Sequence, residues 1–493
     1  MTYFKSIYKF KFAFFLTAIC MLHSCSDFLE QEPGTQTSIS EQLATKQGVL
    51  TALNGLYREL EQNLRTEAFA VYADLQGGNL KFAPSVTTST TTGSVGISGN
   101  VEHIYNFDDL ANDSDLASFY TSSYDIINQA NLILEFTDAL KDATELEKNQ
   151  IKAEALTARA YAHFLLNELY SQDYGFTDDA SHIGIVYMTK SITSGIQYPS
   201  RETAANTYNL IINDLKDALN IYTDIVLLNG YTYSYFNKNN AKALLARVYL
   251  SKKDWKNAYD TANDVITNSG VNLVNTADYI AEWKKPSTPV SEILLEFSIP
   301  RTEEGTSSGS MAAFFGYSSN SIYGRYVASQ DLLNLYETGD IRKQLYTNHP
   351  LPTLINLQPQ TLDYYFIEKF QGNPGYVAFR LSEQYLIRAE AALELNNLDQ
   401  AVKDLNSIRT RANATAYQNA ENLRDALFLE RRKELSFEGF LLFDIARNKK
   451  DVSRNDGCIS FSCSLTYPSP KFILPIPRRN INLNTNLKQN ESY

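Results

Sequence analysis

The sequence predicts a mainly α-helical protein, a superhelix of paired helices carrying a loop-rich, mostly irregular second face and little β structure. Three observations predict it. Apolar residues recur at helical spacing over long stretches, as in Glu41 to Gln62 with Leu43, Leu50, Leu53, Tyr57 and Leu60. One two-helix pattern occurs twice in the same register, at 241–266 and 384–408. Between the helical stretches lie long Ser/Thr/Gly-rich or aromatic-polar segments, 84–100 and 300–375, that no helical pattern crosses.

The N-terminus comes first in order. Lys5, Lys9 and Lys11 precede the uncharged apolar run Phe12 to Leu22. That run falls short of the roughly 20 residues a membrane span needs, and it suits a secretory leader. Leu22-His23-Ser24-Cys25 follows and resembles the lipobox of bacterial lipoproteins, with His23 where a small residue is usual. Residues 1–24 are therefore read as a lipoprotein signal peptide and Cys25 as the lipidated first residue. A signal cleaved without lipidation is the alternative. Residues 25–40 are polar and marked by Pro33 and Gly34, which reads as a tether. Removing the leader takes three Lys from 44 basic against 56 acidic residues, so the formal charge moves from −12 to −15. So acidic a chain is a poor partner for nucleic acid or an anionic bilayer.

Residues 41–493 read as one unit, with a helical scaffold at about 41–280 and 376–447. Segments 117–140 and 146–171 form a predicted helix pair, the second rich in small residues at Ala155, Ala158, Ala160 and Ala162. The segment 241–266 resembles a tetratricopeptide helix–turn–helix. A shift of 143 residues pairs Ala246 with Ala389, Leu250 with Leu393 and Ala258 with Ala401. Small residues at these places let two antiparallel helices cross closely. A third, degenerate unit is expected from 150–171 and 203–219, split by an insertion. Glu292 to Ile299 and Tyr364 to Phe370 are the strand candidates, and 300–375 otherwise reads as loop. The C-terminal part, 448–493, carries Pro468, Pro470, Pro475 and Pro477 and is expected to be extended. With Cys20 lost in the leader and Cys25 lipidated, Cys458 and Cys463 are left to form a disulfide in an oxidising compartment.

Two C-terminal segments carry a specific resemblance. The stretch 427–447, LFLERRKELSFEGFLLFDIAR, resembles the signature of the SusD/RagB family of Bacteroidota surface lipoproteins, through Arg431, Arg432, Glu434, Leu435, Phe437, Glu438, Gly439, Asp444 and Arg447. The tail 474–493 resembles that family's closing segment through Pro475, Ile476, Pro477, Asn484, Asn486, Leu487, Gln489, Asn490 and Tyr493. Asn480 and Glu491-Ser492 depart from it. The start from Cys25 to Pro33 and the helical segments add weaker likeness. The resemblance implies a lipid-anchored protein facing the cell exterior from the outer membrane. It would act as a lid on a SusC-like TonB-dependent transporter, capturing oligosaccharides or, in some members, peptides. It implies no catalysis and no cofactor.

The residues themselves agree with a binding role. No nucleophile elbow, phosphate loop, dinucleotide motif, zinc motif or intact calcium loop occurs, and the five His show no ligand spacing. Glu430, Glu434 and Glu438 would stack on one helix face. Paired carboxylates of this kind invite a catalytic reading, but Arg431, Arg432 and Lys433 beside them favour a buried ion-pair network, with Arg388 and Arg447 free to approach and Gly439 as helix stop. Trp255 and Trp283 read as packing residues. Sugar rings pack apolar faces on aromatic planes and need short polar partners for their hydroxyls. Two regions offer that mixture: 72–107, with Tyr72, Asp74, Asn79 and Tyr105, and 314–326, with Phe314, Phe315, Tyr317, Asn320, Tyr323, Arg325 and Tyr326. Core filling is the competing role for each of these aromatics. Peptide capture by the same architecture, and a scaffold that binds no ligand, are the competing functions.

Overall fold

The computed structural model describes residues 38–85, 92–195, 197–223, 225–285, 289–297, 311–371, 375–418 and 421–493. Residues 1–37, with the expected leader, Cys25 and most of the expected tether, lie outside these residues. Ser38 caps a short turn, Ile39–Gln42, in a reciprocal bond pair with Glu41.

The main helices are α1 (Lys46–Leu64), α2 (Glu67–Gly77), α3 (Ala117–Thr137), α4 (Glu145–Tyr170), α5 (Ala204–Ile221), α6 (Lys238–Ser251), α7 (Trp255–Asn268), α8 (Thr276–Trp283), α9 (Leu381–Glu394), α10 (Leu398–Arg411), α11 (Leu423–Glu434) and α12 (Leu441–Arg447). Packing runs α1 on α3, then α3 through α4, α5, α6 and α7 in succession. The series steps directly from α7 to α9 and α10, and α11 closes it. All four bounds of the pair α6–α7 recur 143 residues later in α9–α10. Ala246, Ala258, Ala262, Ala389 and Ala401 are fully buried where these helices cross. Helices start where capping chemistry allows. Thr144 and Asn237 form capping boxes with Glu147 and Asn240, and Thr203 and Asp254 accept an N–H of the first turn.

Two buried clamps tie helices in threes. Arg159 of α4 makes a bidentate pair with Asp214 of α5 (2.6 and 2.8 Å) and reaches Asn131 of α3 (2.8 Å). Arg388 of α9 repeats the arrangement with Asp404 of α10 (2.6 and 2.7 Å) and Asn263 of α7 (2.6 Å). Arg388 is thus committed within the repeat and does not approach the Glu430–Glu438 ladder, contrary to expectation.

Residues 269–380 intervene between α7 and α9, yet those helices pack as consecutive neighbours. The two ends of this insertion meet as an antiparallel ribbon, β2 (Ile293–Phe297) against β8 (Tyr376–Arg380). Within it, β5 (Tyr326–Ala328), β7 (Gln358–Ile367) and β6 (Tyr346–Ile355) join β1 (Leu80–Phe82) in a sheet of order β1-β5-β7-β6, while β3 (Tyr317–Ser319) pairs with β4 (Ile322–Tyr323). The long β6–β7 hairpin corrects the reading of 300–375 as mostly loop. Its strands carry Pro350, Pro352 and Pro359, which argue against an interior strand. Here β6 forms the sheet edge, and Pro359 of β7 lies beyond the β5 pairing at Tyr365, so in both strands a missing N–H costs little. The turn, Asn356-Leu357, has both residues at positive φ, as a two-residue hairpin of this twist requires.

The expected ion-pair network is present and sits at the neck of the insertion. Arg380, which ends β8, bonds Glu292 (2.6 Å), Glu434 (2.7 Å) and Glu438 (2.7 Å). Arg411 joins Glu292 and Glu434, Arg342 joins Glu430, Glu434 and Asp340, and Lys369 binds Glu438. All are nearly solvent-free. Two details differ from the sequence reading. Helix α11 ends at Glu434, so Glu438 reaches the network from a turn and not from the helix face. Gly439 (φ +82) does not stop α11; it shapes the turn 435–439, where an added Cβ would lie 3.0 Å from the Tyr376 hydroxyl. Arg447 stays apart from the ladder and bonds Glu390 and Asp444, and Arg431 shares Asp444.

These buried carboxyls titrate in two groups. Burial pushes Glu434 up, but Arg411, Arg380 and Arg342 overcome it and hold it well below the ordinary range. Glu292, Glu430 and Asp444 are lowered by their own arginine and lysine partners in the same way. Burial that hydrogen bonds and neighbouring cations do not offset instead raises Asp109, Glu154 and Glu168 to about 7. Between roughly pH 4.5 and 7 the folded chain keeps protons on the second group that the unfolded chain has lost, so stability falls as pH rises through that window. The first group contributes above its unfolded pKa and loses that contribution as pH falls below it. Stability against urea should therefore peak near pH 5. Glu154→Gln should remove about 2–3 kcal/mol of the decline between pH 5 and pH 8. An unaltered decline in that variant would contradict the assignment.

The last segment is mostly extended, with two departures: Pro470–Phe472 forms a 3-10 turn that starts on a proline, and Arg478–Leu483 forms a short helix directly after Pro477. Cys458 and Cys463 are bonded, with Cα atoms 5.9 Å apart.

Candidate functional site

The two aromatic regions separate by burial. Tyr72, Asp74, Asn79 and Tyr105 are essentially solvent-free, as are Phe315 and Tyr326. These six cannot line an exposed ligand site. Helix α2 is enclosed along almost its whole length, so its polar residues face protein. Asp74 accepts the side-chain amide of Asn79 (2.7 Å) and the backbone N–H groups of Phe437 (3.0 Å) and Gly439 (3.2 Å). Burial raises its pKa despite these bonds. Asn79 in turn accepts from Arg432 (2.8 Å). Both residues thus hold the signature turn on the scaffold. Tyr105 lies under the Arg454 guanidinium, 4.3 Å from its ring centre, and Tyr326 donates to Glu67 (2.6 Å). Phe315 packs on Phe370 and Phe437, and Tyr72 lies against Phe443.

The remaining candidates reach the surface. Phe314, Tyr317 and Tyr323 are half-buried, and Asn320 and Arg325 are exposed. Strands β3 and β4 bring Tyr317 and Tyr323 opposite each other as a cross-strand pair, their rings 6.2 Å apart and 12° from parallel. His349, on β6, stacks on Tyr317 at 3.5 Å, and the buried Phe366 of β7 supports all three rings from beneath. Both hydroxyls are anchored. Tyr317 donates to Asn320 (2.5 Å) and Tyr323 to the Pro84 carbonyl (2.9 Å). Burial and the neighbouring Tyr364 and Tyr317 raise the Tyr323 pKa, so it stays a neutral donor. The result is a fixed aromatic plate of Tyr317, Tyr323 and His349, with the exposed Asn320 bonded at its edge. Such a surface can accept the apolar face of a ring; it offers no nucleophile–base pair. Among the described residues no cluster of His, Cys, Asp or Glu could hold a metal ion.

His349 and Phe366 were missed in the sequence. His349 shows no metal spacing and lies in a proline-marked segment. The alternation Tyr364, Phe366 against Tyr365, Ile367 is the signal that could have placed Phe366 under the plate.

The fold is a helical-repeat scaffold whose insertion carries a surface aromatic cluster, and proteins of that build are known. A family profile described as the SusD family matches residues 358–493, and another, described as starch-binding associating with outer membrane, matches residues 27–250. A SusD-like protein of Formosa agariphila is 24% identical over 98% of this chain and 99% of its own length. Among solved structures, a SusD superfamily protein from Bacteroides thetaiotaomicron superposes with TM-score 0.75 at 26% identity, covering 90% of this chain and 99% of its own. A putative sugar binding protein from Bacteroides vulgatus gives 0.76 at 25% identity, covering 91% and 99%. The chain belongs to the SusD/RagB family. Proteins of this family are non-catalytic surface binding partners of SusC-type transporters.

Proposed function

We propose that this protein captures oligosaccharides at the Tyr317–Tyr323–His349 plate and delivers them to a TonB-dependent outer-membrane transporter. The plate carries the reading: three near-surface rings held by hydrogen bonds and a buried phenylalanine suit the apolar face of a sugar. The sugar binding ascribed to the Bacteroides vulgatus structure supports the ligand class. Residues 41–493 act as one unit in this reading, tethered by residues 25–40. Protein purified with an affinity tag from its native membrane should bring down a large barrel protein. It should bind oligosaccharide in calorimetry and leave it uncleaved. Recovery of the protein alone, or binding of peptides in place of glycans, would overturn the respective half of the proposal.

The anchor is proposed to be lipid on Cys25. Cys25→Ala should shift the protein from the outer-membrane pellet to the soluble fraction, since among the described residues no helix is long and apolar enough to cross a membrane. Retention of the variant in the pellet would place the anchor elsewhere.

A further inference from the structure

We propose that the chain carries a second carbohydrate-binding groove, independent of the plate, where the α5–α6 connection meets the end of α7 and the start of β2. A cavity of about 670 Å³ opens there, within the size range of small-molecule sites. Its rim is the segment 226–239, and its floor includes Glu154 and Gln150 of α4.

The segment is built to display aromatic rings. The Tyr235 hydroxyl donates to the Asn229 carbonyl (2.5 Å), and the Asn237 amide donates to the Thr232 carbonyl (3.1 Å), closing the loop at both sides. Gly230 sits at φ +145, and an added Cβ would lie 2.9 Å from the Tyr235 ring. The path is therefore open only to glycine. Out of this brace come Tyr231 and Tyr233, stacked at 5.0 Å and 9° from parallel. Tyr231 is 70% exposed and Val226 69%. Folding thus holds a stacked pair at the cavity mouth, Tyr231 exposed and Tyr233 half-buried.

The polar lining narrows the ligand class. Asn239 and Asn268 spend their N–H groups on Ser269 and Asp264, and their side-chain oxygens accept nothing among the described residues. Such oxygens suit hydroxyl donors. Glu154 is engaged by the Tyr57 hydroxyl (2.6 Å) and by Gln150 (2.9 Å), and with burial its carboxyl is raised to about 7. Lys238 is the other charged group of the described lining. A phosphate or an acidic peptide would meet too little positive charge here. A neutral ligand with apolar faces and many hydroxyls fits, which is a sugar chain. The class assignment rests on the carbohydrate reading given above; the groove itself does not.

The test uses the full mature chain and four neutral probes: maltohexaose, cellohexaose, xylohexaose and mannohexaose. Calorimetry is run on the wild type, on Tyr231→Ala/Tyr233→Ala, on Tyr317→Ala/Tyr323→Ala, and on Gly230→Ala, which should disturb the groove through Tyr235 while keeping Tyr231 and Tyr233. Circular dichroism confirms folding of each. The expected result is residual binding in the plate variant, and a loss of about tenfold or more at one site in both groove variants. Wild-type affinity and stoichiometry in folded groove variants would overturn the groove and leave the plate standing. Loss confined to the groove variants would overturn the plate and leave the groove. Failure of the wild type to bind any probe would overturn the carbohydrate assignment of both.

Discussion

Arg380→Ala should cost about 3–5 kcal/mol of folding stability, the range for breaking a buried ion pair from one side. Arg380 is 1% exposed and faces Glu292, Glu434 and Glu438 at 2.6–2.7 Å, with a further bond to the Glu434 carbonyl (2.7 Å). Its removal leaves Glu292, Glu434 and Glu438 to Arg411, Lys369 and an Arg342 already shared with Asp340 and Glu430, around a void where the guanidinium stood. The lesion also lies between β8 and α9, where the insertion joins the scaffold. Chemical denaturation should show a lowered midpoint, or the variant should fail to accumulate. Lys256→Ala, which breaks the exposed pair Lys256–Asp260, should leave the midpoint unchanged. Equal effects of the two substitutions would show that the network does not hold the neck. Glu434→Gln should fall between them, because it keeps the shape and loses the charge that Arg342, Arg380 and Arg411 share.

The second large effect concerns binding. Tyr317→Ala/Tyr323→Ala should weaken oligosaccharide binding by tenfold or more, since a ring in a desolvated contact contributes about 1–2 kcal/mol. Both side chains are only half-buried, so the fold should persist. Phe366 would lose its cover, and thermal stability should drop modestly. His349→Ala should act in the same direction with a smaller loss, because it removes one ring of the cluster and its stacking on Tyr317 while Tyr317 and Tyr323 remain. Calorimetry with product analysis decides. Unchanged affinity in the folded double variant removes the plate as the site, and released fragments would remove the binding-protein reading.

How far the sequence disclosed these features depended on range. The repeats were legible because small residues at a crossing leave a local pattern: the Ala246/Ala389 and Ala258/Ala401 matches lie in helices whose bounds recur 143 residues apart. The carboxylate ladder was legible as a network for a similar reason, since three like charges at helical spacing require cations. Which cations was not legible. Arg342, Arg380 and Arg411 come from three separate elements, whereas the nearby Arg388 and Arg447 have partners of their own. The candidate site was half legible. Composition singled out 314–326, but it could not distinguish Tyr323, which is half-buried, from Tyr326, which is buried in the sheet three residues later. Asp74 and Asn79 looked like ligand contacts because polar residues in a loop-flanked segment resemble a binding rim. Their partners, Phe437, Gly439 and Arg432, lie more than 350 residues further along the chain.

The ribbon of β2 and β8 has a consequence for how such proteins diversify. Because α7 packs on α9 as if nothing intervened and β2 pairs with β8 at the neck, the ends of 269–380 are held together whatever lies between the two strands. Lengthening a closed segment costs only about 0.6 kcal/mol for each doubling. The neck therefore acts as a socket: what lies beyond it can be rebuilt, enlarged or exchanged for a new cargo preference, and the superhelix has almost nothing to relearn.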